Sequence, residues 1–239
     1  MNVSDEFLSK QRLLVVAPHA DDETYGCAGT IARMRSLGAE VYVIVFSVGN
    51  VAHYGVDKQV TGDKRSSELD SVMKYLDVTD YEILFDDDQV HLRLDDIPRR
   101  DLIAKVEKDA RISIDKVKPT MIAVPAVSYN QDHEVVFRVC FTACRPHLPE
   151  YKPFQNIFIA YDNPAISWST DREKFHPNFY VDISNHLKDK LHALSLHKSQ
   201  LRASPHHGSI ESVEHLANVR GREISVQAAE AYMTYRFVL

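Results

Sequence analysis

His19 and Asp22 stand three residues apart in the stretch Leu13 to Thr30, LLVVAPHADDETYGCAGT, with Asp21 and Glu23 on either side of Asp22. An imidazole and a carboxylate at that spacing across a turn can bind one divalent metal ion from the same loop. A catalytic metal site of this kind takes three protein ligands and leaves a position for water, so a third donor must come from elsewhere in the chain. His133 is the best candidate, because its turn, Val127 to His133 (VSYNQDH), mirrors the first. Each turn alone also has an ordinary explanation. Acidic residues are favoured at a helix N-terminus, and Asp132 before His133 can cap a helix. The occurrence of both turns at strand ends favours metal chemistry.

The elements that must position these residues follow from the pattern around them. Leu13 to Ala17 is an apolar run without alternation, as expected of a strand covered on both faces, and Pro18 ends it. Ala28, Ile31, Ala32, Met34 and Leu37 then recur at helical spacing up to Gly38. Glu40 to Gly49 is a second buried strand, followed by a polar stretch, Val51 to Gly62, whose His53 and Tyr54 suggest a substrate-side loop. A helix over Lys64 to Leu76 and a strand over Tyr81 to Phe85 continue the alternation, with Asp86 to Asp88 as a solvated turn. The pattern predicts one helix over Arg99 to Val117, a fourth strand over Thr120 to Ala126, and a helix from His133 to Pro146. Asn156 to Tyr161 and Phe179 to Ile183 are expected strands, joined by an active-site-side loop over Asn163 to Pro177 that includes Trp168. Asp189 to Arg202 and Ser212 to Phe237 are expected to end the chain as helices on either side of the Pro205-His206-His207-Gly208 turn. Strand and helix in alternation predict an α/β fold, a Rossmann-like three-layer sandwich with a mostly parallel sheet and a C-terminal strand/helix elaboration. Residues 1–239 are expected to form one domain. Ligands bind such sheets at the carboxyl ends of the strands, where the two turns would meet.

Composition narrows the function classes. A formal net charge of -6 gives no basic excess for nucleic acid or for a strongly anionic membrane surface. Cys27, Cys140 and Cys144 form no CxxC pair and suggest reduced thiols, with Cys140 and Cys144 packed among apolar neighbours. Neither a signal sequence nor a membrane-length apolar run is evident, so a soluble cytoplasmic protein acting on a small molecule is expected. Homo-oligomerisation is left open.

The segment PHADDETYGCAGTI resembles the PHPDDE(x)LGCGGTI signature of the PIG-L (LmbE-like) zinc-dependent N-deacetylases, which remove the acetyl group from N-acetylglucosamine-type sugars. The resemblance extends through Arg65-x-x-Glu68-Leu69, Asn130-Gln131-Asp132-His133 with Arg145-Pro146, Lys190 to Gln200, and Arg220-Gly221 followed by Ala229-Glu230-Ala231. The second half is most similar to the branch found in bacterial cell-surface polysaccharide synthesis. The resemblance implies His19, Asp22 and His133 as metal ligands and Asp21 as general base. The implied cofactor is Zn2+, although the same donor set also takes Fe2+, Co2+ or Mn2+. Such an ion lowers the pKa of bound water from about 16 to ~7, and an adjacent carboxylate can take the remaining proton as water attacks an amide. Asp132 is a candidate to orient an imidazole ligand.

Two departures from the family pattern are present. Ala20 replaces the usual proline, and Asn130 stands where many members carry a histidine assigned to oxyanion or acid work. An amide can donate to an oxyanion but cannot deliver a proton, so His206 or His207 is the candidate for that function. Arg65 is a candidate for binding a sugar hydroxyl or phosphate, and Glu23 is assigned to the helix start. His91 and His197 are among the histidines without an evident partner. The expected substrate is an amino sugar, whether free, in a sugar nucleotide or in a glycoconjugate precursor. Two other classes compete. An NAD-type oxidoreductase is suggested by Gly26 and Gly29, but the acidic cluster occupies the place of a phosphate loop. A non-catalytic sugar-binding relative that keeps the fold is suggested by Ala20 and Asn130.

Overall fold

The computed structural model describes residues 3–52, 59–148, 150–169 and 175–239. Seven strands, β1 (Arg12–His19), β2 (Glu40–Val48), β3 (Asp80–Asp86), β4 (Met121–Pro125), β5 (Ile157–Tyr161), β6 (Phe179–Asp182) and β7 (Ala229–Phe237), form one sheet in the order β3-β2-β1-β4-β5-β7-β6. The first five run parallel, while β7 lies antiparallel between β5 and β6. In register, Val15 of β1 faces Val43 of β2 on one side and Ala123 of β4 on the other. The helices are α1 (Val3–Ser9), α2 (Asp22–Ser36), α3 (Gly62–Tyr75), α4 (Arg99–Ala104), α5 (Ile114–Val117), α6 (Gln131–Ala143), α7 (Leu187–Leu196) and α8 (Ile210–Glu223).

β1 lacks alternation because both of its faces are covered. Leu13, Val15 and Ala17 join one core with Ile31 and Met34 of α2, Leu69 and Val72 of α3, and Ala193 of α7. Leu14 and Val16 point the other way, into a core with Leu102 of α4 and Val136 and Val139 of α6. Three layers result, with helices on both sides of a mixed sheet. The Cys27, Cys140 and Cys144 side chains are free thiols inside these cores. Strand order reverses at β1: β2 and β3 extend to one side, β4 and β5 to the other. Loops leaving the carboxyl ends of β1 and β4 therefore part around a crevice, the place where such sheets take ligands.

Three expectations about elements are corrected. The Ser212 to Phe237 stretch is not one helix: α8 ends at Glu223, Ser225 takes a left-handed φ of 62°, and the chain returns as β7. Helix-like apolar spacing there is overridden by pairing with two strands, and a β-carbon on Gly221 would meet the Ala228 backbone at 2.8 Å where the chain doubles back. The Arg99 to Val117 helix is broken into α4, a widened π-type turn over Lys105–Asp109, and α5. The break lets Ile112 donate its backbone N–H to Glu82 at 3.0 Å while Leu102, Val106 and Ile114 still reach one core. The Asp189 to Arg202 helix stops at Leu196, because the His197 ring is engaged elsewhere. His53 and Tyr54 lie outside the described residues. Among the described residues, no helix is long and apolar enough to cross a membrane.

Candidate metal centre and its cavity

The parallel pairing of β1 with β4 brings the two turns together. His19 is the last residue of β1, and Asp22 is the first of α2. His133 lies in the first turn of α6, just beyond β4. Donor atoms of the three lie within 4.8 Å of one another, and all three residues are buried. His19 Nδ1 and His133 Nε2 each stand 3.3 Å from Asp22 Oδ2. Donors ~2.0–2.2 Å from one tetrahedral centre lie about 3.3–3.5 Å apart, so these separations suit a shared ion.

The other faces of the ligands are already occupied, which fixes which atoms point inward. His19 Nε2 donates to Asp132 Oδ2 at 2.9 Å, leaving Nδ1 for a metal, and Asp132 Oδ1 accepts the Leu94 backbone N–H at 3.0 Å. His133 Nδ1 faces the Ser128 hydroxyl at 3.2 Å, leaving Nε2. Asn163 Nδ2 donates to Asp22 Oδ1 at 3.2 Å. Hydrogen bonds of this type orient metal ligands and set the imidazole tautomer. Burial opposes charge on Asp22 and His19, but their partners prevail: His133 and then His19 for Asp22, and Asp132 and then Asp22 for His19. Asp22 is held well below the usual carboxylate range and His19 is pushed up to about 9.

Asp21 sits at the start of α2 with φ 137°, outside the region L-residues normally occupy. Its backbone N–H donates to Glu23 Oε2 at 3.0 Å, and its carbonyl accepts the N–H groups of Thr24 and Tyr25. Glu23 thus satisfies a backbone donor at the helix start, and its Oε1 also meets His197 Nε2 at 3.2 Å. Burial, and then the charge of Asp22, push the Asp21 carboxyl up to about 7. A carboxyl titrating there suits proton transfer at neutral pH.

A cavity of about 420 Å³ opens onto His19, Asp21, Asp22 and His133, with Arg65, Asn130, His206 and His207 on its walls. Asn130 caps α6: its Oδ1 accepts the Asp132 N–H at 2.9 Å, so its Nδ2 remains as a donor. His206 and His207 stack at 4.2 Å between ring centroids, and His206 Nδ1 accepts the Gly208 N–H at 3.0 Å. Arg65 is 4 % exposed, although a helix-start arginine is usually solvated. Its guanidinium donates to Gly49 O at 3.2 Å and to His91 Nε2 at 2.6 Å.

Several side chains at the site were not identified from the sequence. His91 bridges Arg65 and the Ser47 hydroxyl, its ring packs edge-on against His19 at 5.3 Å, and burial and then Arg65 lower its pKa to about 3. Nothing in the spacing around His91 marks it. Asn163 and the Tyr25 and Tyr129 rings also line the cavity. His197 lies within the Lys190 to Gln200 motif, which was the available signal. Gly26 and Gly29 admit close packing of α2 against Tyr161 and Ile183, which explains them without a dinucleotide.

A model of the family described as PIG-L, GlcNAc-PI de-N-acetylase, matches residues 14–144. A curated relative, the probable N-acetyl-alpha-D-glucosaminyl L-malate deacetylase 2 of Bacillus subtilis, is 25 % identical over 198 residues, covering 80 % of this chain and 84 % of that one. Among solved structures, the N,N'-diacetylchitobiose deacetylase of Pyrococcus horikoshii superposes with a TM-score of 0.72 at 19 % identity, covering 99 % of this chain and 88 % of that one. A 4-carboxy-2-hydroxymuconate hydratase of Pseudomonas putida superposes with a TM-score of 0.73 at 17 % identity, over 96 % of this chain and 98 % of that one. The fold is thus shared by enzymes of more than one reaction type, and function has to be argued from the site.

Proposed function

Since the chain belongs to the PIG-L family, we propose that it is a metal-dependent hydrolase that removes the acetyl group from an N-acetylglucosamine-type sugar. The grouping of donor atoms from His19, Asp22 and His133 within 4.8 Å of one another, on the buried lining of a cavity, carries the proposal. Two imidazoles and one carboxylate form a donor set that suits Zn2+. When bound, a divalent ion there supplies Lewis acidity that acidifies water and polarises an amide carbonyl.

The rest of the chemistry belongs to side chains of this chain. Asp21, on the cavity wall beside the proposed ligand Asp22, takes the proton of the attacking water. Asp21 then returns that proton to the leaving nitrogen, since an amine anion is too poor a leaving group. The Asn130 Nδ2 donates toward the oxyanion that forms on the acetyl carbonyl oxygen when its carbon is attacked. His206 or His207 supplies the imidazole that Asn130 replaces, and Arg65 binds a polar substituent of the sugar.

Acetate release from N-acetylglucosamine derivatives tests the proposal. Activity should be abolished by a chelator and restored by Zn2+, and Asp21→Ala should lower kcat about 100-fold or more while metal content is unchanged. Undiminished release by Asp21→Ala would refute the base assignment. His206→Ala and His207→Ala, assayed separately, identify which imidazole assists through a change in the pH profile.

A further inference from the structure

Tyr25 lies in the first turn of α2, three residues past Asp22, and lines the cavity together with His206, His207 and Gly208. Beyond Ala20 and Asn130, this position also differs from the PHPDDE(x)LGCGGTI signature, which has leucine here. The difference is chemical. A leucine side chain offers only hydrocarbon, whereas the Tyr25 hydroxyl donates to the Gly208 carbonyl at 3.0 Å, between residues 183 apart in the chain. The approach is close, since a β-carbon on Gly208 would meet the Tyr25 hydroxyl oxygen at 3.1 Å.

The two ends of this bond are held differently. Tyr25 is fixed through its backbone, whose N–H donates to the Asp21 carbonyl at 2.9 Å and whose carbonyl accepts Lys190 Nζ at 2.6 Å. Gly208 belongs to the connection between α7 and α8, which carries no helix or strand of its own. That connection folds around His206: its carbonyl accepts the Ser209 N–H and the Ser212 hydroxyl, each at 2.9 Å, and its Nδ1 accepts the Gly208 N–H at 3.0 Å. These bonds shape the turn and join it to α8. The Tyr25 bond instead joins it to the helix that begins with Asp22, and so sets how the two histidines stand against the proposed ligands.

We propose that Tyr25 is a positioning residue, whose hydroxyl holds the His206-His207 turn on the cavity wall so that one of these imidazoles reaches the reacting amide. This deepens the proposed deacetylase function and rests on it. The two differences from the signature are complementary: Asn130 removes an imidazole at the second turn, and Tyr25 supplies, from the first, a tether for another. The Tyr25 proton is committed to the Gly208 carbonyl, so the residue acts through the histidines and is not itself the acid.

Tyr25→Phe keeps the ring and removes the tether. It should lower kcat for acetate release about ten-fold, with KM within about two-fold and zinc content unchanged, the scale on which loss of an orienting partner acts. Tyr25→Leu should do the same. The decisive comparison uses His206→Ala and His207→Ala: in the one that lacks the assisting imidazole, adding Tyr25→Phe should cost less than about two-fold more, because nothing is left to position. A distortion of the ligand turn would instead lower zinc content and add its full cost in every background. Either of those results, or wild-type kcat in Tyr25→Phe, would overturn the proposal. Amide hydrogen exchange reads the tether independently of turnover: the N–H groups of His206, Gly208 and Ser209 should exchange about ten-fold faster in Tyr25→Phe while those of α2 do not change. Unchanged exchange in the turn would also overturn it. Should wild type release no acetate from any amino sugar, the deacetylase function falls, and the exchange comparison still decides whether Tyr25 holds the turn.

Discussion

The turn after β1 and the turn after β4 occupy equivalent places in two strand-to-helix units, but only the first is strained. In the first, Asp21 is held at φ 137°, which typically costs ~1–3 kcal/mol. Distant residues support it: Glu23 braces Asp21 and is braced by His197, while Lys190 Nζ donates to the carbonyls of Thr24 and Tyr25. Lys190 in turn pairs with Glu230, which accepts the N–H groups of Gly29 and Thr30. In the second turn Asn130 has an ordinary extended φ of -86° and caps its own helix. The first turn carries two of the proposed ligands and the proposed base, and is contacted by His197, Lys190 and Glu230 from the last fifty residues of the chain. The second carries the third proposed ligand and is tied to the rest of the fold through Asp132, which bonds His19 and the Leu94 backbone, and Gln131, which bonds the Leu92 carbonyl, without a strained residue.

This contrast can be broken most severely at Lys190. Lys190 and Glu230 have side chains only 3 % and 4 % exposed, so Lys190→Met strands a buried carboxylate beneath α2. The expected loss is about 3–5 kcal/mol, or roughly 10 °C in Tm, with weakened zinc retention, read by thermal denaturation and metal analysis. A Tm within 2–3 °C of wild type, on the order of 1 kcal/mol, would show that the first turn does not depend on this support.

A smaller, pH-dependent effect is expected at His197. Burial opposes its charge, but the hydrogen bond and charge of Glu23 raise its pKa above the ordinary imidazole value. A raised pKa stabilises the fold fully at pH below the unfolded value, and that stabilisation is lost as pH rises through the folded value. The stability advantage of wild type over His197→Gln should therefore shrink from pH 6 to pH 9, roughly the span around an imidazole's ordinary pKa of ~6.5. A constant or growing difference in denaturant midpoints would contradict it.

Glycine and alanine variants sharpen the contrast at the two turns themselves. At position 21 glycine should be more stable than alanine by about 1 kcal/mol, because only glycine accepts that φ without strain. At position 130 alanine should cost about 1 kcal/mol and glycine only a few tenths, as for any N-cap. Equal stability of Asp21→Gly and Asp21→Ala in urea melts would remove the strain from the account.

The sequence made the first half of this arrangement visible because its signals are local. An unbroken apolar run, a proline and a clustered His-Ala-Asp-Asp-Glu identify β1 and its turn, and the Asn-Gln-Asp-His stretch repeats the logic after β4. His91 was not legible, because its significance comes from Ser47, Arg65 and His19, which converge on it only in the fold. β7 was misread as helix because Ala229 to Phe237 pairs with strands that precede it by dozens of residues, and pairing partners leave no local trace. Arg65 was placed near the site by its motif, while its burial depends on the same His91 contact.

The most direct test of the central claim is calorimetric titration of Zn2+ into metal-free protein, wild type and variants side by side. One ion should bind per wild-type chain, and that binding should be lost in His19→Ala, Asp22→Ala and His133→Ala but retained in Asp21→Ala. Wild-type affinity and stoichiometry in any of the first three, each shown to be folded, would contradict a metal centre shared by the two turns.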